Sequence, residues 1–242
     1  MKQQKIVSRE KWIAARKILL VKEKTFTRLR DRITSVRSEL PWEAVDKEYV
    51  FDGPDGRETM DELFDGRSQL IVYHARFDPA TASKSTPWTR DAACMGCSFG
   101  ADNFNGIIVH LNHRDVTMVA VSRAPYPKIA AYSKRMGWTF RWVSSGKTEF
   151  NFDYKVSFIA KEVTAKKAEY DYKIQDPRLT EMPGLSVFAK DSAGKIFHTY
   201  SAYARGLDLV NTAYNYLDLV PKGRDEGDRG PSWVRRHNEY ER

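Results

Sequence analysis

Only two cysteines occur in the 242 residues, and they stand together as Cys94-Met95-Gly96-Cys97. The motif follows a strand-like segment, Ser68-Gln69-Leu70-Ile71-Val72-Tyr73-His74, across a turn-rich loop. It leads into Ser98-Phe99-Gly100-Ala101-Asp102-Asn103-Phe104, which can run as a helix. That order places Cys94 near a helix N-terminus, where unpaired N–H groups and the positive dipole end favour a thiolate. Cys97 then sits one turn on, on the same face, within reach of a mixed disulfide. Thiols at this spacing suit a redox dithiol or half of a metal site, and two unrelated buried cysteines are the plain alternative.

The metal alternative has a partial pattern behind it. Cys94-x2-Cys97 is followed, after twelve intervening residues, by His110-x2-His113, whose own spacer is one residue short of a Cys2His2 zinc site. The stretch between holds Phe104, Ile107, Ile108, Val109 and Leu111, which suits a helix packed on a sheet. A chain of this length builds a core without a metal. The expectation is therefore no metal and no cofactor, with both histidines polar positions near a helix end.

Length allows one large domain or two small ones. A hydrophobic content of 41% with 12% aromatics is ample for a globular core. No segment approaches the apolar run of about eighteen residues that marks a membrane helix. The start, Met1-Lys2-Gln3-Gln4-Lys5, leads into charged residues and not into a signal peptide's apolar region. The expectation is a soluble cytoplasmic protein, and in that compartment paired thiols point to catalysis, redox sensing or metal binding.

The net charge of +8 sits wholly in residues 1–40, which hold twelve Lys/Arg and four Asp/Glu; the remainder is neutral. The basic residues alternate with Trp12, Leu19, Phe26 and Leu29 instead of forming a block, which reads as a solvated helix face before a nucleic-acid arm. Ser8 can cap this helix and Pro41 stops it. Between them Trp12, Ala15, Leu19, Phe26, Leu29, Ile33, Val36 and Leu40 follow a seven-residue repeat, interrupted at Lys22. A helix of about thirty residues runs about 45 Å. Such a length predicts an arm that wraps its own domain or, the preferred reading, a homodimer built through it, its basic flanks meeting Asp61-Glu62 or Asp225-Glu226 of the partner.

Further along, Glu48 to Arg57 reads as a hairpin, and Thr59 to Gly66 as a capped helical turn. Gln69–His74 and Val116–Ser122 read as central strands, Pro127–Gly137 as a helix, and Phe140–Ser145 as a third strand. Asp153–Phe158 alternates like a strand. Met182–Asp191 and Lys195–Tyr200 form a hairpin pair, and Leu207–Leu219 is an amphipathic helix ended by Pro221. The order predicts an α/β mixed sheet with helices on both faces. The expected organisation is an arm over 1–44, a domain over 45–220, and a polar tail over 221–242 that orders only by docking.

A central strand, a Cys-x-x-Cys opening a helix, and Met182-Pro183 directly before a hairpin and a closing helix together resemble the thioredoxin fold. The resemblance implies a cis Pro183 facing the dithiol and, with Met182, shaping a substrate groove. More closely, the chain resembles a bacterial family, domain of unknown function 899, described as predicted dithiol–disulfide oxidoreductases. The likeness rests on Lys5 to Trp12, Tyr49 to Gly56, Leu70 to His74 and Val119 to Pro125. It continues in Arg135 to Trp138, Pro183 to Phe188 and Tyr203 to Asp208. The chain departs from that family in a longer loop before the cysteines (residues 78–93) and in Met95-Gly96, where proline is usual.

The resemblance implies thiol–disulfide exchange on a protein or small-molecule disulfide, with Cys94 attacking and Cys97 resolving. A non-catalytic binding module is one alternative and peroxide reduction the other, because Leu63-Phe64-Asp65-Gly66 and the early hairpin are also similar to peroxiredoxins. Their active site reads Pro, three residues, Thr or Ser, two residues, Cys. Pro87, Asp91 and Cys94 match that spacing with Asp91 in the hydroxyl's place, and a carboxylate beside Cys94 would raise its pKa. Arg123, at the end of a central strand, is the best candidate cation for the thiolate, with a surface arginine as the alternative reading. His74 is a candidate proton relay to Cys97 or a satisfied core histidine, and His198 has the same two readings. Trp88, Trp138 and Trp142 either rim a groove or fill the core.

Overall fold

A computed structural model describes residues 4–82 and 87–241. The chain divides into two compact units, one running to Trp42 and the other from Glu43 to Arg242.

The first unit is one helix, α1 (Arg9–Ser38), thirty residues long. Ser8 is its N-cap, the hydroxyl accepting from Lys11 N–H at 3.5 Å, and the helix ends before Pro41. A lone helix has nothing within its own unit to bury its apolar repeat against.

The second unit is built on an eight-stranded mixed sheet. Its strands are β1 (Glu43–Ala44), β2 (Val50–Gly53), β3 (Gly56–Thr59), β4 (Gln69–His74), β5 (Val116–Ser122) and β6 (Trp142–Ser144). A separate two-stranded ribbon, β7 (Ala168–Tyr170) and β8 (Lys173–Gln175), intervenes before β9 (Gly184–Lys190) and β10 (Ile196–Tyr203). The spatial order is β1-β10-β9-β4-β5-β6-β2-β3. Strands β4, β5 and β6 are parallel, whereas β9 is antiparallel to β4 and β10 to β9.

The helices follow the punctuation of the sequence. α2 (Met60–Leu63) is opened by a capping box between Thr59 and Glu62. α3 (Met95–Ala101) and α4 (Phe104–His113) connect β4 to β5, and α5 (Tyr126–Met136) connects β5 to β6. α5 closes on Gly137 in the left-handed conformation, φ 66°, which costs glycine no Cβ clash. Short turns α6 (Phe150–Asp153) and α7 (Ala160–Ala165) precede the ribbon, and α8 (Thr212–Leu217) follows β10. The core order β10-β9-β4-β5, with the cysteine helix in the crossover from β4 to β5, is the thioredoxin arrangement. The expected α/β thioredoxin-like fold is therefore the observed one. No helix among the described residues is long and apolar enough to cross a membrane.

Two clusters sandwich the sheet with the alternation that strand geometry imposes. Leu70, Val72, Val119, Val121, Val143 and Phe188 pack one face with Phe51, Phe64 and Phe150. Tyr73, Met118, Ala120 and Trp142 pack the other with Phe104, Ile129, Tyr132 and Cys97. The dithiol belongs to the second face. Trp138 and Trp142 belong to this core, their indole N–H groups donating to Asp102 and Ser122. Trp88's side chain falls outside the described ones.

Three local expectations fail for identifiable reasons. Asp153–Phe158 is not a strand: α6 turns there because Phe150 plugs the core and Asp153 accepts from Tyr49 Oη at 2.7 Å and Lys47 Nζ at 2.6 Å. Leu207–Leu219 is not one helix but a 3-10 segment, Ala204–Val210, and then α8, separated by Asn211 in an extended conformation. The Met182–Pro183 bond is trans and not cis, since no cis peptide occurs among the described residues. Hydrogen bonds hold that extended entry to β9: Met182 N–H donates to Val156 C=O at 2.9 Å, and Pro183 C=O accepts from Tyr170 Oη at 2.8 Å.

Candidate active site

Cys94 is the N-cap of α3, held there by its own backbone. Its N–H donates to Arg76 C=O at 2.9 Å, and its C=O accepts from both Ser98 N–H and Ser98 Oγ at 2.9 Å. Ser98 Oγ also meets Tyr132 Oη at 2.8 Å, so the first turn is anchored to the core behind it. Gly100 lets this short helix lie close to β4, because a Cβ there would come within 3.1 Å of Tyr73 Oη.

Both cysteines are free thiols, Cys97 buried and Cys94 half-buried. Arg76 touches both: its N–H lies 3.4 Å from Cys97 Sγ, and its guanidinium Nη1 lies 3.6 Å from Cys94 Sγ. The two sulfurs diverge in acidity. Cys94 is brought down to about 5, first by the hydrogen bond from the Cys97 thiol, then by the Arg76 charge and the N–H groups of Cys97 and Gly96. These outweigh burial, which opposes the charge. Cys97 is pushed well above an ordinary thiol by that same hydrogen bond and by burial. The arrangement sets a sulfur that favours the thiolate three residues before one that favours the thiol.

Arg76 is the cation that sequence reading assigned to Arg123. Arg123 instead pairs with Asp78, Nε to Oδ2 3.1 Å, and lies over the Phe152 ring. Arg76 lies only two residues past β4, in the loop whose course to Cys94 was not legible. His74 likewise does not serve Cys97. It shares the parity of Leu70 and Val72 and so points to the opposite face of the sheet from Tyr73. There its Nε2 meets Ser186 Oγ at 2.9 Å and its ring stacks on Phe150, making it the core histidine of the two alternatives. Asp91 pairs with Lys128 Nζ at 2.7 Å and its side chain is 80% exposed. His198 contacts Ser201 Oγ at 2.8 Å and Glu43 at 3.2 Å, remote in topology from the cysteine helix. His110 and His113 lie in the last turn of α4. Among the described residues no group of three His, Cys, Asp or Glu could hold a metal.

Met182 and Pro183 do line the cavity beside Cys94 and Cys97, together with Tyr73, Phe99 and Phe104. The C-terminal segment closes another wall through Pro231, Ser232 and Val234. It docks by Arg236, buried, whose Nη2 and Nε donate to Ala93 C=O at 2.7 and 3.2 Å, one residue before Cys94. Glu239 holds that guanidinium and also Arg135.

Sequence reading passed over a second group. Glu181, immediately before Met182, is a buried carboxyl raised to about 8 by burial, then by Asp78, with Arg76 and Arg123 opposing. Its sign is definite: a carboxyl raised in the folded state favours folding below its ordinary value of 4.5, and that contribution is lost as pH climbs through about 8. Glu181→Gln removes the dependence. The variant should therefore gain thermal stability over the parent at pH 8.5 and lose the advantage at pH 4.5, read as the difference in Tm across that range.

The family model described as "Bacterial protein of unknown function (DUF899)" matches residues 1–240. Among solved structures, peroxiredoxin Q from Xanthomonas campestris aligns with a TM-score of 0.43 at 16% identity, over 72% of this chain and 98% of its own. The peroxidoxin BcpB of Mycobacterium tuberculosis aligns with a TM-score of 0.43 at 12% identity, over 72% and 94%. The mitochondrial 2-Cys peroxiredoxin of Plasmodium falciparum aligns with a TM-score of 0.41 at 12% identity, over 73% and 93%. These likenesses are distant and assign no chemistry. No curated protein matches the sequence.

Proposed function

The chain belongs to the bacterial DUF899 family, and we propose that it is a thiol–disulfide oxidoreductase in which Cys94 attacks and Cys97 resolves. The observation that carries the reading is the pairing of the half-buried Cys94 sulfur with Arg76 Nη1 and with a buried, protonated Cys97. In the first half-reaction the Cys94 thiolate forms a mixed disulfide and expels one thiolate. Cys97 then loses its proton, attacks Cys94, and releases the second. A dithiol donor in the reducing cytoplasm returns the pair to thiols.

A second reading, thiol peroxidase, is favoured by the position of Asp91. The carboxylate that would have opposed a peroxidatic thiolate pairs with Lys128 instead. Mixing the reduced protein separately with a disulfide and with hydrogen peroxide, and counting remaining thiols, tests both. Consumption of disulfide alone supports the first reading, of peroxide alone the second, and of neither removes both; Cys94→Ser serves as the blank.

We also propose that α1 mediates a homodimer, because Trp12, Leu19, Phe26 and Ile33 recur every seven residues on it. Burying each contributes roughly 1.5–3 kcal/mol, enough together to hold two copies. Partner contacts through Asp61-Glu62, expected from sequence, are dropped from the proposal: Asp61 pairs with Lys190 at 2.5 Å and Glu62 serves its own capping box. Light scattering should give twice the chain mass of 27.9 kDa. A monomer at tens of micromolar would refute the arrangement, and deletion of residues 1–40 should produce one.

A further inference from the structure

We infer that the substrate of the Cys94–Cys97 pair is a small, uncharged organic disulfide with apolar substituents, held in the cavity beside Cys94, and not a disulfide in an extended protein segment. The inference rests on the dithiol reading above and narrows it to a substrate class.

Four observations lead there. The cavity has a volume of about 450 Å³, within the range of roughly 300–1,000 Å³ typical of small-ligand sites. Its walls come from separate stretches of chain and are mostly apolar: Phe99 and Phe104 beside the cysteines, Met182, Leu207 and Val210 further along, and Val234 from the docked C-terminal segment. Apolar walls favour an apolar guest through water release, and disfavour a charged one through desolvation.

The charged side chains of the wall are engaged within the chain, save for the buried Arg76 Nε, which has no hydrogen-bond partner. Asp208 is held by Arg224 at 2.8 Å and Arg205 at 3.0 Å, and Arg76 faces the Cys94 sulfur. An anionic substrate would compete with the thiolate for Arg76.

The backbone beside the cysteines is also used. A peptide substrate added as a strand needs free main-chain donors and acceptors on its receptor. There the Met182 N–H is taken by Val156 and the Pro183 C=O by Tyr170.

The reaction balances without a further reagent. The Cys94 thiolate attacks one substrate sulfur, breaks the S–S bond and expels RS⁻, which takes up a solvent proton. Cys97 gives up its proton, its sulfur attacks that of Cys94, and the second RS⁻ leaves. Two electrons pass to the substrate, the Cys94–Cys97 disulfide forms, and a dithiol reductant restores it.

Single-turnover mixing of the reduced full-length protein with three disulfides tests the assignment: uncharged dithiodipyridine, dianionic dithiobis-nitrobenzoate, and insulin. Each rate is divided by the rate of the same disulfide with mercaptoethanol thiolate, which removes intrinsic reactivity. The uncharged compound should lead the dianion by about tenfold or more after that correction. Insulin should show no enhancement. Leu207→Gln should erode the preference while Cys94 alkylates with iodoacetamide at the parental rate. Equal corrected rates, or a preference for insulin, would overturn the substrate class and leave the dithiol reading standing. No enhancement for any disulfide, with Cys94 still readily alkylated, would overturn both.

Discussion

Replacement of Cys94 by serine is expected to abolish disulfide reduction, a loss of about three orders of magnitude or more, because the hydroxyl is not ionised and cannot accept the attacking role. Cys97→Ser should behave differently. Its hydroxyl cannot attack the mixed disulfide, so one leaving thiol per protein is released where the parent releases two, and the Cys94 adduct accumulates. The contrast between the variants is read in one rapid-mixing trace and in the mass of the trapped protein. A Cys94→Ser protein that still turns over, or a Cys97→Ser protein that releases two thiols, would contradict the assigned division of roles.

The second large effect concerns Arg76. A thiol near 5 is almost fully ionised at pH 7, so Cys94 alkylation by iodoacetamide should be flat from neutral to alkaline pH and fall off only as pH drops toward 5. Arg76→Gln removes a guanidinium 3.6 Å from the sulfur and should move the inflection upward. The sign follows from the charge: a cation favours the ionised form, so its loss slows the reaction at the acid end and leaves the alkaline plateau unchanged. A fall of about tenfold near pH 5 is expected, with convergence to the parental rate at alkaline pH. Arg123→Gln should leave the profile where it was, since that side chain is committed to Asp78 and the Phe152 ring. A shifted profile in Arg123→Gln alone would return the role to that residue.

Much of the fold was legible because its signals are local. The Ser8 cap, the Thr59–Glu62 capping box, the closing Gly137 and the apolar runs of β4 and β5 each report their own element. What escaped depends on contacts distant in sequence. Asp153 to Phe158 alternates like a strand, but the pairing of Asp153 with Tyr49 and Lys47, about a hundred residues away, fixes a turn. In the site, the dithiol was visible from spacing, and Met182-Pro183 from the resemblance to the thioredoxin fold. The cation was not, because Arg76 and Arg123 both follow central strands and only the course of the loop to Cys94 distinguishes them. Parity along β4 did hold information on His74, which alternates with Leu70 and Val72, but which face receives the cysteine helix is a property of the crossover and not of the strand. Glu181 carried a readable hint, a carboxylate directly before Met182-Pro183, whose meaning needed its burial.

The reading of Cys94 and Cys97 as a working redox pair is tested most directly by peptide mapping after one equivalent of disulfide meets the fully reduced protein. The expected product is an intramolecular link between Cys94 and Cys97, two hydrogens lighter than the reduced protein and reversed by a dithiol. Recovery of both cysteines as free thiols, or of a stable Cys94 adduct that Cys97 never resolves, would contradict it.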